Sequence, residues 1–359
     1  MRIANAPCSW GILEFESTAL APSPVQVLDE IAATGYEGTE LGDWGFFATD
    51  PRQLAEDLER RHLALAGAFV DVALTDPAAH ATGEATAVKI ARVLAGAVRL
   101  TASGKATAVR RPPSRKATVV RRSFSGGGSL PRRRKPDTTQ ERSERGSIET
   151  SERRSIETNE SRPMIVLSDA TARVPERTAR AGRITPDEGL TPAQWDVVAA
   201  GAERIASAVR KSTGLRTAFH HHCATYVETP GEIDALMQRT SSDVLGLCLD
   251  SGHATFGGGD PVMLVDRYRD RIWHVHFKDC SRAIAGRARA EAWDYVTAVR
   301  HGLFCELGRG QVDFGRIRDR LRAHGYDGWI VVEQDVLPSM GTPAASAERN
   351  RHFLAGLGL

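Results

Sequence analysis

Eight times along this chain a short apolar run gives way to an amphipathic stretch, and that alternation restricts the fold more than any other feature. The strand-like runs fall at 2–6, 37–42, 63–70, 164–168, 216–221, 244–250, 271–277 and 329–333. Helical patterns follow at 24–35, 51–61, 84–97, 192–212, 231–239, 260–270, 315–324 and 343–355, with an extra helical stretch around 287–300. Repeated strand–helix units build a parallel sheet. Eight of them predict a closed (β/α)8 TIM barrel of the α/β class rather than an open doubly wound sheet. No G-x-G-x-x-G follows the first run, which weighs against a dinucleotide fold.

One segment breaks the pattern. Residues 98–162 contain R-R-P-P-S-R-K, S-G-G-G-S and P-R-R-R-K-P, then two near-identical octads, S-E-R-G-S-I-E-T and S-E-R-R-S-I-E-T. Seventeen Lys and Arg stand against seven Asp and Glu there, a surplus of ten; with a chain total of +2, the remainder carries −8. Sparse apolar residues without a sustained period cannot offset the entropy of ordering, so a disordered, basic, low-complexity insertion is expected between the third helix and the fourth strand. An αβ connection lies on the face opposite a barrel's active site, so a single domain over 1–359 can carry the insertion without disturbing its chemistry.

The basic charge therefore does not imply a nucleic-acid partner, because the body of the chain is acidic. No window holds 18 uninterrupted apolar residues, and the amino-terminal stretch lacks the apolar core of a secretory signal. Five scattered cysteines, at 8, 223, 248, 280 and 305, form no C-x-x-C pair, which favours a reducing cytoplasm over a disulfide framework. Cys8, Cys223 and Cys280 lie near the polar motifs but read as small buried residues.

Titratable residues recur where strands end, the place where barrels of this kind carry their sites. Glu40 lies near the end of the second strand and His220, His221 and His222 close the fifth. Asp250 ends the sixth, with His253 just beyond. His274 and His276 end the seventh, followed by Lys278 and Asp279, and Glu333 ends the eighth. Six of the eleven histidines lie between 220 and 276. A strand-end Asp can simply cap the next helix, and a lone His is more often structural than a ligand. Imidazoles and carboxylates converging from neighbouring strands, however, suit a divalent manganese, cobalt, zinc or iron ion. Strand alternation places His220 with His222, and His274 with His276, on the inward side, and turns His221 toward the helices. One residue of each pair could bind metal and the other sit beside it.

With these residues in view the sequence resembles the xylose isomerase-like barrel superfamily of sugar isomerases and epimerases. Within it, the sequence is most similar to the myo-inosose-2 dehydratases of inositol catabolism. The resemblance rests on N-A-P-C-S-W-G (5–11), G-Y-E-G-T-E-L-G (35–42), F-H-H-H-C-A-T-Y-V-E-T (219–229), L-D-S-G-H (249–253), H-V-H-F-K-D (274–279), E-L-G-R-G-Q-V-D-F (306–314) and G-Y-D-G-W-I-V-V-E-Q-D (325–335). It implies one divalent metal, manganese or cobalt first and zinc or iron next. The implied ligands are Asp250, His276, Glu333 and either His220 or His222, with His220 preferred. The epimerases keep a glutamate at that fifth-strand position, and it works with the strand-eight glutamate as a pair of bases. A histidine there weakens an epimerase reading and fits elimination of water.

The expected reaction is dehydration of an inosose (2-keto-myo-inositol) to a cyclic diketone. Glu333 is the first candidate base and Glu40 the second, with Lys278 or the spare histidine as acid. His222, His253, His274, Trp10 and Ser9 are expected around the polyol. The expected partner is a small polyol or keto-polyol, with no nucleic acid and no membrane, and a homo-oligomer is compatible. Competing readings are a sugar or keto-acid isomerase or epimerase on the same barrel, a DNA-repair endonuclease, and a non-catalytic polyol-binding protein.

Overall fold

The structure is a computed structural model, and it describes residues 1–12, 22–109, 162–170, 173–336 and 341–359. Ten strands run in chain order: β1 (Arg2–Asn5), β2 (Gly38–Glu40), β3 (Ala64–Val72), β4 (Met164–Asp169), β5 (Thr217–His220), β6 (Leu245–Asp250), β7 (Ile272–Phe277), β8 (Asp279–Cys280), β9 (Phe304–Cys305) and β10 (Trp329–Val332). Eight of them close a parallel barrel in the order β1-β10-β7-β6-β5-β4-β3-β2, while β8 and β9 form a separate antiparallel pair. The helices are α1 (Pro24–Ala33), α2 (Pro51–Glu59), α3 (Ala79–Val109), α4 (Pro175–Arg180), α5 (Pro192–Thr213), α6 (Pro230–Arg239), α7 (Ser251–Phe256), α8 (Pro261–Arg267), α9 (Arg282–Ala290), α10 (Tyr295–Arg300), α11 (Phe314–Ala323) and α12 (Pro343–Gly356).

Local chemistry explains where several helices begin. α1, α2, α5, α6, α8 and α12 each start with Pro directly after Ser, Asp or Thr. Proline's fixed φ and missing N–H cost nothing at a first helical position, and the preceding side chain can accept from the orphaned amides. Asp50 accepts from Arg52 and Gln53, while Thr191 and Thr229 complete capping boxes with Gln194 and Glu232.

The expected eight units are all present. Shorter elements went unforeseen: α4, α7 and the β8–β9 pair, and the extra stretch at 287–300 resolves into α9 and α10. The third helix also runs past its expected end at Ala97, through Val109. The start of the expected insertion, 98–109, therefore continues the helix. The remainder of that expected disordered segment, 110–161, lies outside the described residues.

Strand alternation divides the core. Leu245, Leu247 and Leu249 of β6, Phe219 of β5, and Ile330 and Val332 of β10 face the main core shared with the helices. The opposite parity fills the lumen: Ala218, Cys248 and Trp273 in one cluster, Ala4, Ala66, Trp329 and Val331 in another. Two tryptophans occupy the lumen's amino-terminal end because glycines make room. A Cβ on Gly246 would collide with the Trp273 ring, and one on Gly38 would lie 2.7 Å from Trp329. Arg216 covers Trp273 at 3.4 Å and Arg2 covers Trp329 at 4.1 Å.

The other end of the lumen is polar. A satellite core of Cys223, Phe256, Cys280, Tyr295 and Phe304, with small residues of α9 and α10, builds a wall beside it.

Candidate active site

Register sets the heights of the polar side chains. His220 of β5 pairs with Cys248 of β6, and Asp250 of β6 pairs with His276 of β7. Glu333 follows the last residue of β10, and its amide still donates to Phe277 of β7 at 3.0 Å, so it continues the ladder. Four strand ends thus deliver His220, Asp250, His276 and Glu333 to one spot, where one donor atom of each lies within 4.8 Å of the other three. His220 Nε2 is 3.6 Å from Asp250 Oδ2, and His276 Nδ1 is 3.3 Å from Glu333 Oε1 and 3.9 Å from Asp250 Oδ2.

Several of these atoms lack other partners. Among the described residues, His220 Nδ1 and Nε2, Asp250 Oδ2 and His276 Nδ1 are buried without a hydrogen bond of good geometry. Buried polar atoms are ordinarily paired, and such a group of orphans calls for a missing partner. Tautomers identify its sign. His276 Nε2 lies 3.2 Å from Glu40 Oε1, so that nitrogen carries the proton, leaving the Nδ1 lone pair aimed at Asp250 and Glu333. A lone pair facing two carboxylates is stabilised by a cation. Carboxylate, imidazole and metal in that sequence is the usual support of a ligating histidine. The four residues fit a divalent ion.

Protonation agrees with that assignment. Burial, helped by His276, pushes His220 down to about 3, so its ring is neutral and free to ligate. Burial opposes charge on His276, yet Cys248, Glu333 and Glu40 outweigh it and raise its pKa well above the ordinary value. A cation held among these carboxylates would take the place of that proton, because a ligating imidazole must be neutral. Burial favours a neutral Glu333, but His276 and Lys278 hold it well below the usual carboxylate range.

The surroundings lock these groups in place. Asp250 serves twice: Oδ1 accepts from the His253 amide at 2.8 Å and caps α7, while Oδ2 faces the metal group. His221 Nε2 accepts from the Asp250 amide at 3.2 Å, so the histidine expected to turn toward the helices fixes the backbone of Asp250. Glu40 Oε1 is shared by His274 Nε2 at 2.6 Å and His276 Nε2 at 3.2 Å. These contacts overcome burial and hold Glu40 at about 2. Lys278 Nζ is gripped by Glu333 Oε2 at 3.2 Å and Asp335 Oδ1 at 3.1 Å, with His253 Nε2 packed 3.3 Å away. Burial disfavours its charge, but Asp335 and Glu333 reverse the balance and raise its pKa well above normal.

A cavity opens onto this group, lined among others by Cys8, Ile12, Asp43, Phe69, His222 and Tyr295 with Glu40, His220, Lys278, Glu333 and Asp335. Four positions expected around the polyol lie elsewhere. Trp10 turns away in the 3-10 turn Pro7–Trp10, packs in the main core and donates to Glu30 at 2.6 Å. Ser9 accepts from the Gln334 amide at 3.1 Å and does not line the cavity. His253 and His274 are fully buried behind the cavity wall, supporting Lys278 and Glu40 instead of facing a ligand. His222 does line the cavity, but not by strand alternation. β5 ends at His220, and the chain turns through Ala224 at φ 67. His222 then lies against His253 with ring centroids 3.7 Å apart, and its Nδ1 donates to the Cys223 carbonyl at 2.6 Å. It belongs to none of the described clusters whose donor atoms converge closely enough to hold an ion, whereas His220 does.

The sequence reading missed Asp335, although alternation carried two residues past Glu333 points to it. It also missed Cys248, which lies within ligating distance of His220 and His276. The G-R-G-Q-V motif proves structural: Asp279 accepts from the amides of Cys280, Gly308, Gly310 and Val312, which moulds that loop beneath the cavity wall.

The family model described as the xylose isomerase-like TIM barrel matches residues 164–356. The inosose dehydratase of Lacticaseibacillus casei is 36% identical over 165 residues, 46% of this chain and 55% of that protein. The rhizopine catabolism protein MocC of Rhizobium meliloti is 43% identical over 154 residues, 43% of this chain and 46% of its own length. The chain spans about half the length of the curated relatives it matches. The solved structure of the probable 3-DHS dehydratase AsbF from Bacillus anthracis superposes with a TM-score of 0.58 at 12% identity, covering 99% of both chains, and so shares the fold.

Proposed function

The chain belongs to the xylose isomerase-like TIM barrel family, and from that premise we propose that it is a metal-dependent hydro-lyase of inositol catabolism. The reaction is loss of water from an inosose to give a cyclic diketone. One observation carries the choice of elimination over epimerisation: Glu333 Oε2 and Lys278 Nζ stand 3.2 Å apart on one wall. An epimerase needs bases on opposite faces of the substrate, whereas an adjacent base and acid serve removal of H and OH from the same face. The similarity to inosose dehydratases supports the same reading and suggests the substrate.

His220, Asp250, His276 and Glu333 would hold the ion, with manganese or cobalt preferred and zinc or iron the alternatives. When bound, a divalent ion supplies Lewis acidity toward the ketone oxygen and acidifies the neighbouring C–H. Glu333 takes that proton as the C–H bond breaks. Lys278, held protonated by Asp335 and Glu333, delivers its proton to the departing β-hydroxyl, which leaves as water. The resulting enol tautomerises to the diketone. Glu333 then returns its proton to Lys278 across their direct contact, restoring both groups without a further participant. Glu40, the alternative base, is engaged by two histidines and acts here by fixing them. His222 offers its Nε2 as an acceptor for a ring hydroxyl. Five free cysteines suit a cytoplasmic enzyme, and among the described residues no helix is long and apolar enough to cross a membrane.

The test is an inosose dehydration assay beside keto-sugar epimerisation, with metal analysis, on the parent chain and on Glu333→Ala and His276→Ala. Diketone formation that disappears in both variants is expected. Full activity in metal-free Glu333→Ala would sink the mechanism. Epimerised keto-sugar without diketone would favour the isomerase reading, and bound inosose without turnover a binding protein.

A further inference from the structure

Below the four-residue group lies a thiol that the proposed chemistry does not use. Cys248 sits on β6 two residues before Asp250, hence on the same lumen-facing side and about 7 Å deeper along the strand. Its register partner across the sheet is His220. One donor atom each of His220, Cys248 and His276 lie within 4.8 Å of one another, and Cys248 is wholly buried. Both nitrogens of His220, a side chain 2% exposed, lack partners, as does His276 Nδ1. The same two imidazoles can therefore face an ion at either of two heights.

We propose that the lumen offers one divalent ion two overlapping donor sets: a hard set, His220–Asp250–His276–Glu333, at the rim, and a soft set, His220–Cys248–His276, one pleat deeper, which captures strongly thiophilic ions such as cadmium. The proposal rests on reading the rim as a metal centre. Oxygen donors suit harder ions and thiolate suits softer ones, so donor type divides ions between the two heights. Capture breaks the Cys248 S–H bond, forms a sulfur–metal bond and releases the thiol proton to solvent. An ion at the deeper height is withdrawn from Glu333 and from the cavity, so it occupies the enzyme without supporting turnover. The soft set thus makes the enzyme selectively sensitive to thiophilic metals.

The full-length, metal-stripped chain is titrated with cadmium and, separately, with manganese. Cadmium is expected to produce the ultraviolet thiolate-to-metal charge-transfer absorption at one ion per chain. Cys248→Ser and Cys248→Ala should abolish that absorption, and Cys8→Ser, which alters the thiol lining the cavity, should retain it. Glu333→Gln should keep the cadmium absorption while manganese affinity falls at least about ten-fold. In the manganese-loaded enzyme, Cys248→Ala should weaken cadmium inhibition by about ten-fold or more. If manganese binds one-to-one and cadmium gives no such absorption, or if the absorption survives in Cys248→Ser, the soft set is refuted and the rim site stands. If neither ion binds, both readings fall. Should the Cys248 variants fail to fold, the Glu333→Gln arm still decides: loss of the cadmium absorption there refutes a set that excludes Glu333.

Discussion

The two ends of the lumen are built from the same strands, yet they solve opposite problems. At the amino-terminal end, Trp273 and Trp329 fill the space that Gly246 and Gly38 leave, and an arginine lies over each ring. At the carboxyl end the same β5, β6, β7 and β10 present imidazoles, carboxylates and a lysine, with several ring and carboxylate atoms unpaired. One end is packed to exclude everything and contributes stability. The other carries the cost of buried, unpaired polar atoms, which a bound cation would offset.

This contrast can be broken from either side. The largest effect is expected at the mouth: Glu333→Ala or His276→Ala should lower dehydration at least about a thousand-fold, since each removes a ligand and one removes the base as well. Steady-state kinetics at saturating metal checks this, and a loss below ten-fold would contradict the assignment. At the floor, Trp329→Ala should cost about 3–5 kcal/mol of stability by opening a cavity. In urea unfolding the variant should lose stability while its manganese stoichiometry stays at one per folded chain. A large loss of metal binding in the folded variant would mean that the ends are not independent.

A third expectation concerns Glu228, buried beside the mouth, where its two oxygens accept from the amides of Gly182 and Ala224. Burial raises its pKa to about 7. The folded state therefore binds a proton that the unfolded chain releases at lower pH, so this group makes stability fall as pH rises between its unfolded value and about 7. The change should be on the order of 3 kcal/mol and level off above pH 7. Urea unfolding of the parent chain should show that slope and Glu228→Gln should lack it; equal slopes would exclude Glu228 as the source. The smallest effect belongs to Trp10→Phe, which loses the hydrogen bond to Glu30 for about 1 kcal/mol and leaves KM for inosose unchanged. A several-fold rise in KM would return Trp10 to the pocket wall.

The same contrast shows what was legible in the sequence. The barrel was readable because each unit repeats its own periodicity, and Asp250, His276, Glu333 and Lys278 were readable because they sit at or beside strand ends. Errors arose where the chain leaves the strand. His222 lies past the end of β5 and just before a turn, so period two no longer governs it, and Trp10 is carried into the core by a 3-10 turn that no apolar pattern marks. Asp335 lies past a strand end, where the reading stopped one step early. His221 looked idle because a ring nitrogen accepting from a neighbouring strand's amide leaves no trace in composition. Cys248 was overlooked because a buried cysteine in an apolar run resembles any small hydrophobe.

Asp250 has one more consequence. Its two oxygens face different masters, a helix amide on one side and the ion-binding cluster on the other. If the proposed centre takes a cation at Oδ2, the carboxylate would be immobilised and the hold of Oδ1 on the His253 N–H tightened. The first turn of α7 would then be a built-in gauge of occupancy: its amide hydrogens should exchange with solvent deuterium more slowly in the metal-loaded protein than in the stripped one. Filling of the centre could then be followed from the backbone, with neither substrate nor a coloured ion present.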